Sequence, residues 1–251
     1  SQEAADQLCH FASALGLPVG ASFRCQDYID NRHPNYVGDV GIAPNPDLEK
    51  RVKKSDCVLI LGARLGEMTT SGYSLFDIPN PSQCIFHVHA DPNEIGRVYR
   101  PQIGLACKAS EFIRIAAELT EGIEQQPPII AKESYRNWQM PVATPGDVKL
   151  EEVICHLRDV LPEDAIITNG AGNYAGWLHR YYSYNSYRTQ LAPTSGSMGY
   201  GLPAAIAAKL EYPEREVICL AGDGCFQMTM QEFGTARQYG LNVIVIVVNN
   251  G

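Results

Sequence analysis

Apolar positions along this chain fall into two rhythms that alternate. Residues 4–15 carry them at helical spacing until Gly16 stops the run, and Pro18-Val19-Gly20-Ala21 is then a short apolar stretch of strand type. The sequence repeats this step. Residues 44–54, with Asn45 as the cap, predict a helix, and Cys57-Val58-Leu59-Ile60-Leu61-Gly62 is a continuous apolar run of the kind found in buried parallel strands. Cys84-Ile85-Phe86-His87-Val88-His89 has the same form, residues 91–96 read as a polar turn, and residues 110–119 as a capped amphipathic helix. Residues 31–36 and 38–41 read as a polar, turn-rich loop. Residues 1–120 are thus expected to form one Rossmann-like α/β domain.

Residues 121–146 are rich in Pro, Gly and Gln, with little periodicity beyond a short helix near Tyr135, and predict a linker. A second alternation follows over 147–251: helix 150–160, strand 165–168, helix 174–182, helix 201–210, strand 216–221, helix 227–239 and strand 243–248. The expected fold is therefore α/β, two Rossmann-like three-layer domains with mostly parallel sheets joined by a Pro-rich linker.

Composition narrows the partners. A formal charge of −8 leaves no basic field for nucleic acid or anionic lipid. No apolar run approaches the roughly 20 residues that span a bilayer. The eight scattered cysteines form no Cys-x-x-Cys pair and predict reduced, mostly buried thiols in a cytoplasmic protein. The first residues read as the inside of a helix without an initiator Met or a signal segment, so a fragment cut at both ends is expected.

The chemistry concentrates in the second half. Val217-Ile218-Cys219-Leu220-Ala221 runs into Gly222-Asp223-Gly224 and then into a helix, so Asp223 stands at the carboxyl end of a strand, where ligands of parallel sheets collect. Glycines let backbone approach a ligand closely, and a helix start offers free N–H groups to a phosphate. A carboxylate beside a phosphate calls for a cation between them, and Mg²⁺ is the natural one. A 13-residue helix and a six-residue strand each rise about 20 Å, so the chain returns to the same edge and sets Asn249-Asn250 beside Asp223. Each turn alone is also what Gly, Asp and Asn make without a ligand; the pair at this spacing is far more specific.

Gly222-Asp223-Gly224, 24 residues, then Asn249-Asn250 resembles the cofactor motif of thiamine-diphosphate-dependent enzymes, and residues 193–205, Pro-Thr-Ser-Gly-Ser-Met-Gly-Tyr-Gly-Leu-Pro-Ala-Ala, are similar to the matching stretch of acetolactate synthases. The resemblance assigns Asp223 and Asn250 to Mg²⁺, the Gly196 carbonyl to the cofactor's aminopyrimidine, and Met198 to an apolar prop that keeps the cofactor bent, a role that suits a soft thioether. Ala171, Gly172 and Asn173, in the loop after the strand ending at Thr168, would contact the diphosphate. Ser197, Gly222, Gly224 and Cys225 complete the expected cofactor-binding set.

The first half resembles the central domain of the same family, where some members hold FAD or an ADP moiety. Gly62, Arg64 and Asp91 are the candidates for such a nucleotide, with Arg64 pairing a phosphate, although the Gly-x-Gly-x-x-Gly fingerprint is absent. His87 and His89 lack a third metal ligand and read as structural; His179 and Arg180 read as a solvated pair that can also face substrate. By the resemblance, pyruvate or a similar 2-oxo acid is decarboxylated and joined to a second carbonyl. The activating glutamate comes from an amino-terminal domain absent here, across a homodimer or homotetramer interface, and no residue of this chain is assigned as catalytic. The last metal ligand, a backbone carbonyl two positions after Asn250, falls beyond Gly251, so the chain alone is expected to be inactive. A non-catalytic α/β scaffold and a dinucleotide-dependent oxidoreductase are the competing readings.

Overall fold

The computed structural model describes residues 1–250 and divides the chain into two compact units, one of residues 1–23 and 32–138, the other of residues 24–31 and those after 138.

The first unit opens with α1 (Gln2–Leu15), capped by the Ser1 hydroxyl and ended by Gly16 in the left-handed region at φ 63. Strand β1 (Val19–Ala21) pairs in parallel with β2 (Tyr36–Asp39). Here the expected polar loop contains a buried strand, one whose apolar signal is only two residues long, Tyr36 and Val37. Helix α2 (Pro46–Lys54) takes its cap from the Asn45 side chain, which accepts the Asp47 N–H at 3.0 Å. Strands β3 (Cys57–Leu61), β4 (Cys84–His89) and β5 (Ile103–Ala106) form a parallel sheet in that order, followed by α3 (Ala109–Leu119). Strand β3 is only partly buried, against the expectation of a buried strand, and β5, for which no strand was expected, is exposed. The core joins Ile60, Ile85, Leu75, Phe76 and Tyr99, the last two rings meeting edge to face at 5.5 Å.

Residues 121–146, expected as a linker, hold α4 (Ile129–Trp138), which packs on β2 and α2. Its buried face consists of Ala131, Lys132 and Tyr135, too mixed a set to register as an apolar stripe. Lys132 buries its stem and donates from Nζ to the His33 and Tyr36 carbonyls at 2.9 and 3.2 Å.

The second unit contains α5 (Leu150–Val160), β6 (Ile166–Asn169), α6 (Ala175–Tyr181), β7 (Gln190–Leu191), α7 (Gly201–Glu211), β8 (Val217–Gly222), α8 (Asp223–Thr229), α9 (Glu232–Gln238) and β9 (Ile244–Val248). Its four strands are parallel in the order β7-β6-β8-β9. Strands β6 and β8 are buried throughout, as their unbroken apolar runs require, and each large side chain so buried contributes about 1.5–3 kcal/mol. Helix α7 lies close on β6 and β8 because it presents small residues. A Cβ on Gly201 would stand 3.1 Å from the Gly170 nitrogen. The helix expected over 227–239 is instead two, and α8 begins at Asp223, so the Gly-Asp-Gly segment is itself the strand end and the first helical turn.

All eight cysteines are free, but only Cys219 and Cys225 are buried, five are intermediate and Cys57 is exposed, which corrects the expectation of mostly buried thiols. Among the described residues no helix is long and apolar enough to cross a membrane.

Candidate functional site

In the second unit, strand register fixes which loops share an edge. Thr168 pairs with Leu191, Asn169 with Leu220 and Gly222 with Val248. Because the strands are parallel, the segments that follow them, 170–174, 192–200, 223–225 and 249–250, all leave the carboxyl edge of one sheet. Every residue expected to bind thiamine diphosphate or its metal lies in these four segments or at the end of β8.

Side-chain bonds tie the segments together. The Cys225 thiol donates to the Ala171 carbonyl at 2.8 Å, fixing the first turn of α8 to the 170–173 loop. The Thr229 hydroxyl donates to the Gly199 carbonyl at 3.1 Å, fixing its last turn to the 192–200 loop. Gly196 turns at φ 74, while Gly172, Asn173, Ser197 and Met198 are exposed. Met198 is 47% exposed, which removes core packing as the reason for a methionine there. Asp223 is half-buried, and among the described residues its carboxylate has neither a hydrogen bond nor an ion pair. Asn250 is exposed at the end of the neighbouring strand.

The glycines of Gly222-Asp223-Gly224 are also required by packing within the protein. A Cβ on Gly222 would stand 3.0 Å from the ring of Tyr174, and one on Gly224 would stand 3.3 Å from the Met198 methyl. The Tyr174 ring also sits 2.7 Å from where a Gly172 Cβ would be, so this buried tyrosine is the floor on which two of the loops rest. Burial, reinforced by nearby Cys225, pushes its phenol above its ordinary range.

Arg24 and Tyr174 were not legible as site residues. Arg24 is 6% exposed and donates from Nη1 to the Pro193 carbonyl at 2.6 Å and from Nη2 to the Gly170 carbonyl at 3.2 Å. Its partners lie 169 and 146 positions along the chain, and no local pattern announces them. His179, expected at a solvated surface, is buried, and burial with the nearby Arg24 charge holds its imidazole down at about 3. Arg180 stacks on the Tyr181 ring at 4.9 Å.

The nucleotide candidates lie in the first unit, where Gly62 and Asp91 follow the neighbouring parallel strands β3 and β4 and the Arg64 charge is felt at Asp91. Gly62 turns at φ 68, and its Cβ would meet Ala109 at 3.3 Å. Asp91 accepts two bonds from Asn93 at 2.9 Å and caps a short turn. Arg64 alone of the three lines a cavity of about 230 Å³, with Tyr73, His87, Glu94, Arg97 and Tyr99. Glu94 pairs with both Arg64, at 3.6 Å, and Arg97, at 2.9 Å, so an acidic group holds the place a phosphate needs. These residues do not fit FAD, whose bulk exceeds a cavity below the roughly 300–1,000 Å³ of typical ligand sites. His87 bonds the Ala63 carbonyl and His89 pairs with Asp91, so both are structural.

A parallel sheet with small and polar loop residues and, among the described residues, an unpartnered carboxylate at its carboxyl edge has the form of an α/β ligand-binding domain. Residues 170–251 match the C-terminal TPP binding domain of the thiamine pyrophosphate enzymes, and residues 1–115 match their central domain. The chain belongs to this family. The acetolactate synthase large subunit of Haemophilus influenzae is 28% identical over 259 residues, covering 99% of this chain and 44% of that protein. That of Parasynechococcus marenigrum is 29% identical over 252 residues, covering 98% and 40%. A solved structure, the Rhodococcus jostii RHA1 thiamine diphosphate-dependent 4-hydroxybenzoylformate decarboxylase, shares the fold with a TM-score of 0.80 at 24% identity, covering 100% of this chain and 46% of that one. The chain spans less than half the length of the curated relatives it matches.

Proposed function

We propose that the protein is a thiamine-diphosphate-dependent 2-oxo acid decarboxylase and carboligase of the acetolactate synthase type, acting on pyruvate or a similar 2-oxo acid. The observation that carries this reading is the meeting of four loops at one sheet edge around the unpartnered Asp223 carboxylate. Among the described residues no three His, Cys, Asp or Glu side chains cluster as a metal site. Asp223 and Asn250 therefore offer a partial oxygen set, one that suits Mg²⁺ only when diphosphate oxygens and water complete it. The donor chemistry fits a metal shared with the cofactor.

Bound thiamine diphosphate supplies an electron sink for the pair released with CO₂. This chain's own residues bind and orient it. Asp223 and Asn250 would hold the metal, Ala171, Gly172 and Asn173 would contact the diphosphate, the Gly196 carbonyl would receive the aminopyrimidine, and Ser197 would line the same site. Met198, exposed beside Gly224, is an adaptable apolar wedge. The activating glutamate and the substrate pocket are contributed from outside these residues, by another domain and a second subunit of a homodimer or homotetramer.

Calorimetric titration of full-length protein with thiamine diphosphate and Mg²⁺, beside an Asp223→Ala variant, tests the assignment. Binding by the wild type and a loss of at least tenfold in the variant are expected. Equal affinity in the variant removes the metal role, and an absence of binding to the wild type favours a non-catalytic scaffold.

A further inference from the structure

Residues 24–31 follow β1 in the chain but are built into the second unit. They are anchored there by a dense set of buried bonds. The Gln26 N–H donates to the Gln190 side chain at 2.8 Å, and its amide donates to the His179 carbonyl at 2.9 Å. Asp27 accepts the Thr189 and Gln190 N–H groups at 3.1 and 3.2 Å. Asn31 exchanges bonds with Tyr184, donating its N–H at 2.9 Å and accepting at 3.0 Å. Gln26, Asp27, Ile29 and Asn31 are all buried. So many fixed partners make the segment a rigid brace beside β7.

The brace carries Arg24 at its head, in the left-handed region at φ 59, a conformation held for a non-glycine residue only when its surroundings enforce it. The guanidinium fork spans two carbonyls, Gly170 at the exit of β6 and Pro193 after the exit of β7. Pro193 O also accepts the Gly196 N–H at 3.0 Å, so the arginine bonds the carbonyl that shapes the 193–196 turn. Gly170 precedes the three residues that contact the diphosphate in the reading above. Only a planar, forked donor reaches both acceptors at once; an ammonium on a single stem does not.

We propose that Arg24 is a positioning residue for the cofactor site: its buried guanidinium clasps the 170–173 and 193–197 loops in the geometry that receives thiamine diphosphate, and its charge adds to the attraction for the diphosphate. This inference rests on the cofactor reading given above. It differs from that reading in naming a residue outside every loop that touches the cofactor.

The test compares full-length wild type, Arg24→Ala and Arg24→Lys by calorimetric titration with thiamine diphosphate and Mg²⁺, with thermal melts to confirm folding. Arg24→Ala should weaken cofactor binding at least tenfold, Arg24→Lys should recover only part of it, and millimolar methylguanidinium should restore the alanine variant where sodium chloride at equal ionic strength does not. A merely structural role moves the melt without this selective rescue. Wild-type affinity in a folded Arg24→Ala protein overturns the inference, as does a loss that methylguanidinium leaves unchanged. If Arg24→Ala does not fold, Arg24→Lys decides by the same affinity measure; if neither folds, the residue serves the fold alone and the proposal fails. Wild type that does not bind the cofactor refutes the functional reading instead, so the two failures are distinguishable.

Discussion

The contact between Gly222 and Tyr174 can be tested with a change of sign. An alanine Cβ at Gly222 would stand 3.0 and 3.2 Å from two carbons of the Tyr174 ring, against roughly 3.5–4.0 Å for carbons at their optimum. The backbone there, φ −67 and ψ 157, suits alanine, so the cost is steric alone. Overpacking of this kind costs about 1–3 kcal/mol. Replacing glycine in a tolerated conformation returns about 0.4–1 kcal/mol by restricting the unfolded chain. The net expectation for Gly222→Ala is a destabilisation of about 1–2 kcal/mol. In a Tyr174→Ala background the ring is gone and only the chain-restriction gain remains, so the same substitution should stabilise by up to about 1 kcal/mol.

Urea unfolding followed by the fluorescence of Trp177, with Trp138→Phe silencing the only other tryptophan, reads the second unit selectively. Gly222→Ala is expected to lower the midpoint with Tyr174 present and to raise it with Tyr174 removed. An equal effect in both backgrounds would refute the claim that the ring dictates this glycine. Asp223 follows directly, so displacing the ring should also weaken Mg²⁺-dependent cofactor binding by more than the stability change accounts for.

His179 is held neutral at about 3, chiefly by burial, so it takes a proton in the unfolded chain first and stability should fall as pH drops below about 6.5, by up to roughly 1.4 kcal/mol per pH unit. His179→Gln should flatten that slope in urea midpoints measured between pH 7 and 5. Burial opposes ionisation of Glu151, but bonds from its own backbone N–H, from the Thr144 N–H and hydroxyl, both at 2.8 Å, and from the Trp177 indole at 3.4 Å outweigh it and hold the carboxyl down at about 2. Its contribution is therefore present above about pH 4.5 and lost as pH falls toward 2, and Glu151→Gln should lower the unfolding midpoint at pH 7 and shift Trp177 emission. Met198→Ala, at a half-exposed site, should change stability by less than about 1 kcal/mol yet weaken cofactor binding severalfold; the reverse pattern in melts and calorimetry would return Met198 to a packing role.

How much was legible in the sequence depended on whether a signal was local. Strands β6 and β8 announced themselves because burial on both faces leaves unbroken apolar runs, and the sheet edge that Asp223 and Asn250 share followed from them. Strand β2 escaped, and helix α4 registered only as a short helix near Tyr135, because their buried faces borrow from Tyr, Lys and Ala, whose burial is secured by contacts made elsewhere in the chain. The break between α8 and α9 falls at Met230 and Gln231, both good helix formers, so propensity gave no warning.

The glycines of the Gly-Asp-Gly motif show how a correct location can carry an incomplete cause. Read locally, they make room for a ligand; in the folded unit, Tyr174 and the Met198 methyl fill the space beside them. The two accounts converge on function, because a loop packed this tightly against a buried ring holds Asp223 in one place before any metal arrives. They differ in what a substitution reports: loss of activity at Gly222 mixes a displaced ring with a displaced carboxylate. Asp223→Ala, by contrast, removes a side chain with no hydrogen bond or ion pair among the described residues and should leave the unfolding midpoint nearly unchanged. Preorganisation is then measurable as the part of the Gly222→Ala affinity loss that disappears when Tyr174 is also removed.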